Sequence, residues 1–310
     1  MGDRSAPRLH STVMTSRLLA CAGVAISLVA GAATVSSPIA TAVPAGISQP
    51  AGSVPVPDGP AQAWVLADMD TGAILAGRNQ DGRYAPASTI KVLLAQTVLD
   101  ELPLDATMVA NQADTEVECN CAGVTPGMTY TTRQLLEALL LVSGNDAANS
   151  LATMLGGRDV ALAKMNAKAA ALGAHATRAG SPSGLDGPGI DIWSSPRDLA
   201  VIFRAAMANP VFAQITAQPT AVFPTAAGDR VLVNQDELLH RYPGTFGGKT
   251  GYTDLARKTF VGGAQRNGRH LVVALMYGVN VEGAPTYWDQ AASLFDWGFA
   301  LGPNARVSRL

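Results

Sequence analysis

The arrangement of its hydrophobic patterns restricts how this chain can fold more than any other feature. Short apolar runs bounded by turn residues stand near both ends, and helical periodicity fills the middle. Trp64 to Ala67 and Ala73 to Ala76 read as two strands around the turn Asp70-Thr71-Gly72. Lys249 to Thr253, Lys258 to Ala264 and Leu271 to Met276 read as three more, with Asn267-Gly268 as the hairpin turn between the last two. Helices are predicted from Ser88 onward and at about Thr132 to Val142, Asp146 to Leu155, Asp159 to Leu172, Pro196 to Met207 and Tyr287 to Ala300. Gly156-Gly157 is a stop signal, and Ser195 followed by Pro196 is a start signal. The pattern predicts an α/β (α+β) fold: one antiparallel five-stranded sheet assembled from both ends, flanked by helices, with a mainly helical lobe inserted.

The first 42 residues do not belong to that pattern. Arg4, Arg8 and Arg17 precede an apolar run from Leu18 to about Val35, and small residues lead to Ala40-Thr41-Ala42. This is the layout of a secretory signal cleaved after Ala42, with a retained membrane anchor as the alternative. Either way the rest of the chain is expected outside the cytoplasm. Residues 43–60, rich in Pro, Gly, Ser and Ala, read as a linker, and 61–310 as the catalytic domain, with no further domain after it. A net charge of -2 and the lack of a Lys/Arg run argue against nucleic acid, and a membrane partner is expected only if the N-terminal segment is retained. Cys119 and Cys121 flank a single residue, so in an exported protein they read as a local disulfide or as two free or partner-linked thiols. No His stands near them to complete a zinc site, and neither a metal nor an organic cofactor is expected.

Only five lysines occur in the chain, and two of them fall in short motifs: Ser88-Thr89-Ile90-Lys91 and Lys249-Thr250-Gly251, with Ser143-Gly144-Asn145 between them. From composition the chance of all three together is below ~0.01. A serine hydroxyl needs a base within hydrogen-bond reach, and Ser88 and Lys91 at i, i+3 share one helix face. Lysine acts as a base only if burial or a nearby positive charge lowers its pKa, and Lys249 is a candidate for that charge. Ser143-Gly144-Asn145 falls between two predicted helices, where either Ser143 or Asn145 also suits a helix cap. Gly251 leaves space beside the predicted strand, and the backbone N–H groups of Ser88 and Tyr252 are candidate oxyanion donors.

With their surroundings, Pro86 to Lys91, Ser143 to Ala148, Ser183 to Asp186, Ser195 to Ala200 and Leu238 to Gly244, these motifs resemble those of the D-alanyl-D-alanine carboxypeptidases, the low-molecular-mass penicillin-binding proteins. The resemblance runs from about Ala61 to about Ala300. It implies a β-lactamase/transpeptidase-like fold and removal of the terminal D-Ala from peptidoglycan stem peptides ending in D-Ala-D-Ala, with β-lactams as acylating inhibitors. It assigns Ser88 as nucleophile, Lys91 as base, Ser143 as proton relay, Asn145 as donor to the substrate backbone, and Lys249 and Thr250, beside Gly251 and Tyr252, as the carboxylate site. The Arg that several relatives place after the last strand is missing, since Gly278 to Pro303 holds no Lys or Arg; Arg257 and Lys258 read as surface charge. Rival readings are a class A β-lactamase and a catalytically idle cell-wall module. The former needs a Glu between the second and third motifs, and the only one there is Glu237. A Ser-His-Asp hydrolase lacks its Gly-x-Ser-x-Gly elbow here.

Overall fold

The computed structural model describes residues 46–310, so the expected signal segment and its cleavage point lie outside the described residues. In chain order the strands are β1 (Ile47–Ser48), β2 (Ala61–Asp68), β3 (Ala73–Arg78), β4 (Thr107–Val109), β5 (Thr129–Thr131), β6 (Thr220–Thr225), β7 (Gly228–Val233), β8 (Thr245–Thr253), β9 (Arg257–Arg266), β10 (Arg269–Gly278) and β11 (Ser308–Arg309). The α-helices are α1 (Lys91–Glu101), α2 (Gln112–Thr115), α3 (Thr132–Leu141), α4 (Asn145–Met154), α5 (Arg158–Ala171), α6 (Pro196–Met207), α7 (Pro210–Thr216), α8 (Glu237–Arg241) and α9 (Tyr287–Ala300). A short 3-10 turn, Ala87–Ile90, leads into α1.

The main sheet has the order β1-β3-β2-β10-β9-β8, with β11 also on β3, and every pairing is antiparallel. Its five long strands are those expected from sequence. Seven strands are present rather than five, because two dipeptides too short to carry a period-2 signal, β1 and β11, both pair with β3. Asn267 and Gly268 turn the β9–β10 hairpin with φ of 52° and 77°, the left-handed pair that a two-residue hairpin loop requires.

The sheet is covered on both faces, and strand alternation divides its side chains between two cores. Ala63, Val65 and Ala67 of β2 and Val272, Ala274 and Met276 of β10 face the helical lobe and pack with α1, α3 and α6. Trp64 and Leu66 of β2, with Leu271, Val273 and Leu275 of β10, face α9 and meet Trp288, Leu294 and Phe295. Each fully buried Val, Leu, Met or Phe among them contributes about 1.5–3 kcal/mol, so both faces of the sheet are committed. α1 runs through the lobe with Lys91 to Val98 buried without interruption, which is why it lacks a polar stripe.

The stretch expected as a linker is tied down over its described part. Ile47 and Ser48 pair with Arg78 and Gly77, Val56 is buried, and Trp297 Nε1 donates to the Val54 carbonyl at 2.9 Å. The packed residues therefore begin before Ala61; composition alone does not register contacts made with a helix over 200 residues away.

Candidate active site

Ser88 lies in the 3-10 turn, where side chains three residues apart eclipse one another. That geometry sets Lys91 Nζ directly over Ser88 and lets it donate to Ser88 Oγ at 2.8 Å. Three more acceptors surround the ammonium: the Ser143 carbonyl at 2.9 Å, Ser143 Oγ at 3.3 Å and Asn145 Oδ1 at 2.6 Å. The first two motifs thus meet on one nitrogen. Ser88 Oγ itself faces the Ser183 carbonyl at 3.4 Å.

Two residues here hold a backbone conformation that side chains rarely adopt. Ala87, next to Ser88, has φ 48°, and Ser143 has φ 62°. Such positions cost about 1–3 kcal/mol each and persist where surrounding contacts dictate them. Gly184 supplies part of that dictation: a Cβ there would overlap the Ala87 carbonyl and stand 2.9 Å from Ser88 N. The cap position of α4 is Gly144, so neither Ser143 nor Asn145 serves as the side-chain cap that the sequence also allowed. Both side chains turn toward Lys91 instead.

Asn145 is held from three directions. Its Oδ1 accepts from Lys91, its Nδ2 donates to the Glu118 carbonyl at 2.7 Å, and its backbone N–H donates to the Asn120 carbonyl at 2.8 Å. Its neighbour Asp146 accepts from the N–H groups of Ala122, Gly123 and Val124 at 2.9, 2.8 and 2.9 Å. The Glu118 to Val124 loop is therefore a wall of the site, although nothing in its sequence marks it except Cys119 and Cys121. These two cysteines form a disulfide.

The third motif arrives on β8, whose residues Lys249 to Thr253 pair with Val261 to Arg257 of β9. Gly251 presses against Ser88: a Cβ there would overlap Thr259 Oγ1 and stand 2.8 Å from Ser88 N. Lys249 points into the molecule, fully buried, with Nζ donating to the Thr250 carbonyl at 2.9 Å. Burial, reinforced by the Lys249 charge and opposed by Asp146, holds Lys91 well below the usual lysine range. Burial likewise pushes Lys249 down to about 7, opposed by Asp236. Asp236, a residue the sequence did not single out, is itself pushed up to about 6 by burial, against the hydrogen bonds of the Leu238 and Leu239 amides.

A cleft of about 440 Å³ opens above these groups, lined by Ser88, Ser143, Asn145, Thr250, Gly251 and Tyr252. Lys91 and Lys249 lie beneath its floor. Its rim adds Glu118, Glu237, Lys258 and Trp288. Lys258, expected as mere surface charge, is half-buried at this rim, with Nζ 4.6 Å from the centre of the Tyr252 ring. Glu237 is paired with Arg241 at 3.0 Å. A larger cavity, about 970 Å³ and lined by Met69, Val201, Phe246 and His270 among others, contains none of the motif residues.

Residues 50–280 match the family model described as D-alanyl-D-alanine carboxypeptidase. The chain is 69% identical over 262 residues to D-alanyl-D-alanine carboxypeptidase DacB2 of Mycobacterium tuberculosis, covering 84% of this chain and 90% of that one. A crystal structure of D-alanyl-D-alanine carboxypeptidase from Mycobacterium tuberculosis H37Rv superposes with a TM-score of 0.83 at 68% identity, covering 85% of this chain and 100% of the other. The Streptomyces K15 DD-transpeptidase superposes with a TM-score of 0.74 at 30% identity, covering 80% of this chain and 100% of the other.

Proposed function

This chain belongs to the D-alanyl-D-alanine carboxypeptidase family and is a serine-type D-Ala-D-Ala carboxypeptidase, and on that premise we propose that it works through an acyl-enzyme on Ser88. The observation that carries the assignment is the 2.8 Å contact between Ser88 Oγ and a fully buried Lys91 whose pKa is depressed. Neutral Lys91 takes the Ser88 proton as Oγ attacks the penultimate D-Ala carbonyl. The oxyanion is received by the backbone N–H groups of Ser88 and Tyr252. Ser143 Oγ, 3.3 Å from Lys91 Nζ, passes the proton on to the departing D-Ala amine. Water then hydrolyses the ester, or an amine acceptor replaces it.

Asn145 has a second amide hydrogen beyond the one given to Glu118, and that hydrogen is the donor for the substrate backbone. Thr250 and Gly251 line the binding edge, the Lys249 charge beneath them attracts the terminal carboxylate, and Lys258 adds a cation at the rim. β-Lactams acylate the same serine, and their adducts persist because Glu237, engaged by Arg241, is not available as a base for water. Members of the family act on the cell wall outside the cytoplasm. The basic-then-apolar layout of residues 1–42 supports export of this chain to that compartment, so that trimming stem peptides bears on wall biogenesis and cell shape.

Intact-mass spectrometry with benzylpenicillin and with diacetyl-Lys-D-Ala-D-Ala tests the reading. The expected result is a stable penicilloyl adduct and released D-Ala from the wild type, with both lost in Ser88→Ala. An adduct that survives in Ser88→Ala would refute the nucleophile, and rapid penicillin turnover would favour a β-lactamase.

A further inference from the structure

We propose that the Cys119–Cys121 disulfide is a positioning element of the acylation machinery, acting on Lys91 through Asn145; the inference rests on the Ser88 reading above. The disulfide closes a three-residue ring of which Asn120 is the middle member. The two carbonyls that hold Asn145 belong to this ring or adjoin it: Glu118, whose peptide bond runs into Cys119, and Asn120, whose peptide bond runs into Cys121. They fix the Asn145 backbone and its Nδ2. With Nδ2 committed to Glu118, Oδ1 has only one direction left, toward Lys91 at 2.6 Å. Orientation of this one amide therefore decides whether Lys91 meets a further acceptor or a donor beside the three that Ser88 and Ser143 supply.

The ring lies in the least supported part of its loop. On one side Asp114 is anchored to α4, its carbonyl accepting from Asn149 Nδ2 at 3.2 Å and its carboxylate from Thr153 Oγ1 at 2.8 Å. On the other, Ala122 to Val124 are pinned by Asp146. Between these anchors Glu116, Glu118, Cys119 and Asn120 are exposed, and the remaining ties are those to Asn145, one from Gln112 Nε2 to Glu116 Oε1, one from Asn120 Nδ2 to the Val142 carbonyl and one from Arg230 to the Cys121 carbonyl. A ring this small removes little chain entropy from the unfolded state, so its contribution is local stiffness rather than global stability. Exposed Cys119 leaves it open to a reductant in solution.

Reduction by a water-soluble phosphine tests this. The S–S bond breaks, each sulfur gains a proton and an electron, and the phosphine takes an oxygen from water to become its oxide. Benzylpenicillin acylation is followed by mass across pH for oxidised and reduced wild type and for C119S/C121S with and without phosphine. Loosening Asn145 should slow acylation on the order of tenfold through misplaced reacting groups. Loss of the Oδ1 acceptor disfavours charged Lys91, so the acid limb of the pH–rate profile should move to lower pH. Lys91 is otherwise faced by Lys249 from β8 and Asp146 from α4, neither of them within the ring. The double variant should match the reduced wild type and ignore phosphine, while the melting temperature stays nearly unchanged. Superimposed rates and limbs in both redox states would overturn the proposal. So would a slower reaction that keeps the same acid limb and merely titrates fewer active sites. Failure to acylate in either state would instead refute the Ser88 reading, and this inference with it.

Discussion

A lysine whose amine is both fully buried and close to a second buried lysine is at odds with ordinary protein chemistry, and the conflict is what suits Lys91 to the proposed role of base. Water is excluded from Lys91, so its charged form is disfavoured, and Lys249 adds repulsion. The consequence is a pH dependence with two lysine limbs of opposite meaning. The ratio kcat/KM for a D-Ala-D-Ala peptide should rise as Lys91 loses its proton. It should fall above about pH 7 as Lys249 loses the charge that attracts the substrate carboxylate. Once that carboxylate is bound it favours the charged form of Lys249, so the falling limb in kcat should lie at higher pH than in kcat/KM. Parallel pH profiles of the two parameters check this; coincident falling limbs would show that Lys249 does not sense the substrate. At this scale the sequence was most legible. Ser88, Lys91, Ser143 and Asn145 stand out by residue type and spacing, and the structure brings the other three onto the Lys91 nitrogen. Asp236 was not legible, because its raised pKa arises from burial against a strand that reaches it only in the folded chain.

The next scale is that of strand against turn. β8 can approach Ser88 because Gly251 presents no side chain to it, and Gly184 does the same for the Ala87 carbonyl from the other side. Gly251→Ala should therefore displace either Ser88 or Thr259 and lower acylation by at least roughly a hundredfold, while far-UV circular dichroism stays native. A variant acylating at the wild-type rate would show that the edge has slack. Elements with a full period of hydrophobic pattern, α3, α6, β9 and β10, were foreseen close to their observed ends. The β6–β7 hairpin was not, since its strands are mostly exposed, without apolar alternation, and β6 carries Pro224; α7 and α8 have too few residues for a helical period to show. The wall of the cleft from Glu118 to Val124 has no regular structure at all; carbonyls that accept from Asn145 and N–H groups that donate to Asp146 shape it. Lys258 illustrates the same limit, since only its register opposite Tyr252 brings it to the cleft rim.

At the scale of the molecule, strands from the two ends of the chain must find each other across the inserted lobe, and β2 beside β10 is where they do. Arg269 fastens that junction. It pairs with the buried Asp68 at 2.8 Å and donates to the carbonyls of Gly298 and Leu301 at the end of α9, at 3.0 and 3.2 Å. Arg269→Ala would leave a buried carboxylate and two carbonyls without their partner, at a cost of about 3 kcal/mol and roughly 10 °C in melting temperature. Calorimetry checks this, and a shift below about 2 °C would mean that water replaces the guanidinium. Sequence by itself determined the class of the sheet, the five long strands and the motif residues that meet at the cleft, because hydrophobic period and motif spacing are local properties of the chain. Tertiary structure alone decided which groups lose water. The depressed lysines, the left-handed backbone at Ala87 and Ser143, the docked segment ahead of β2 and the loop that fixes Asn145 all depend on contacts between residues far apart in sequence, and no local pattern records them.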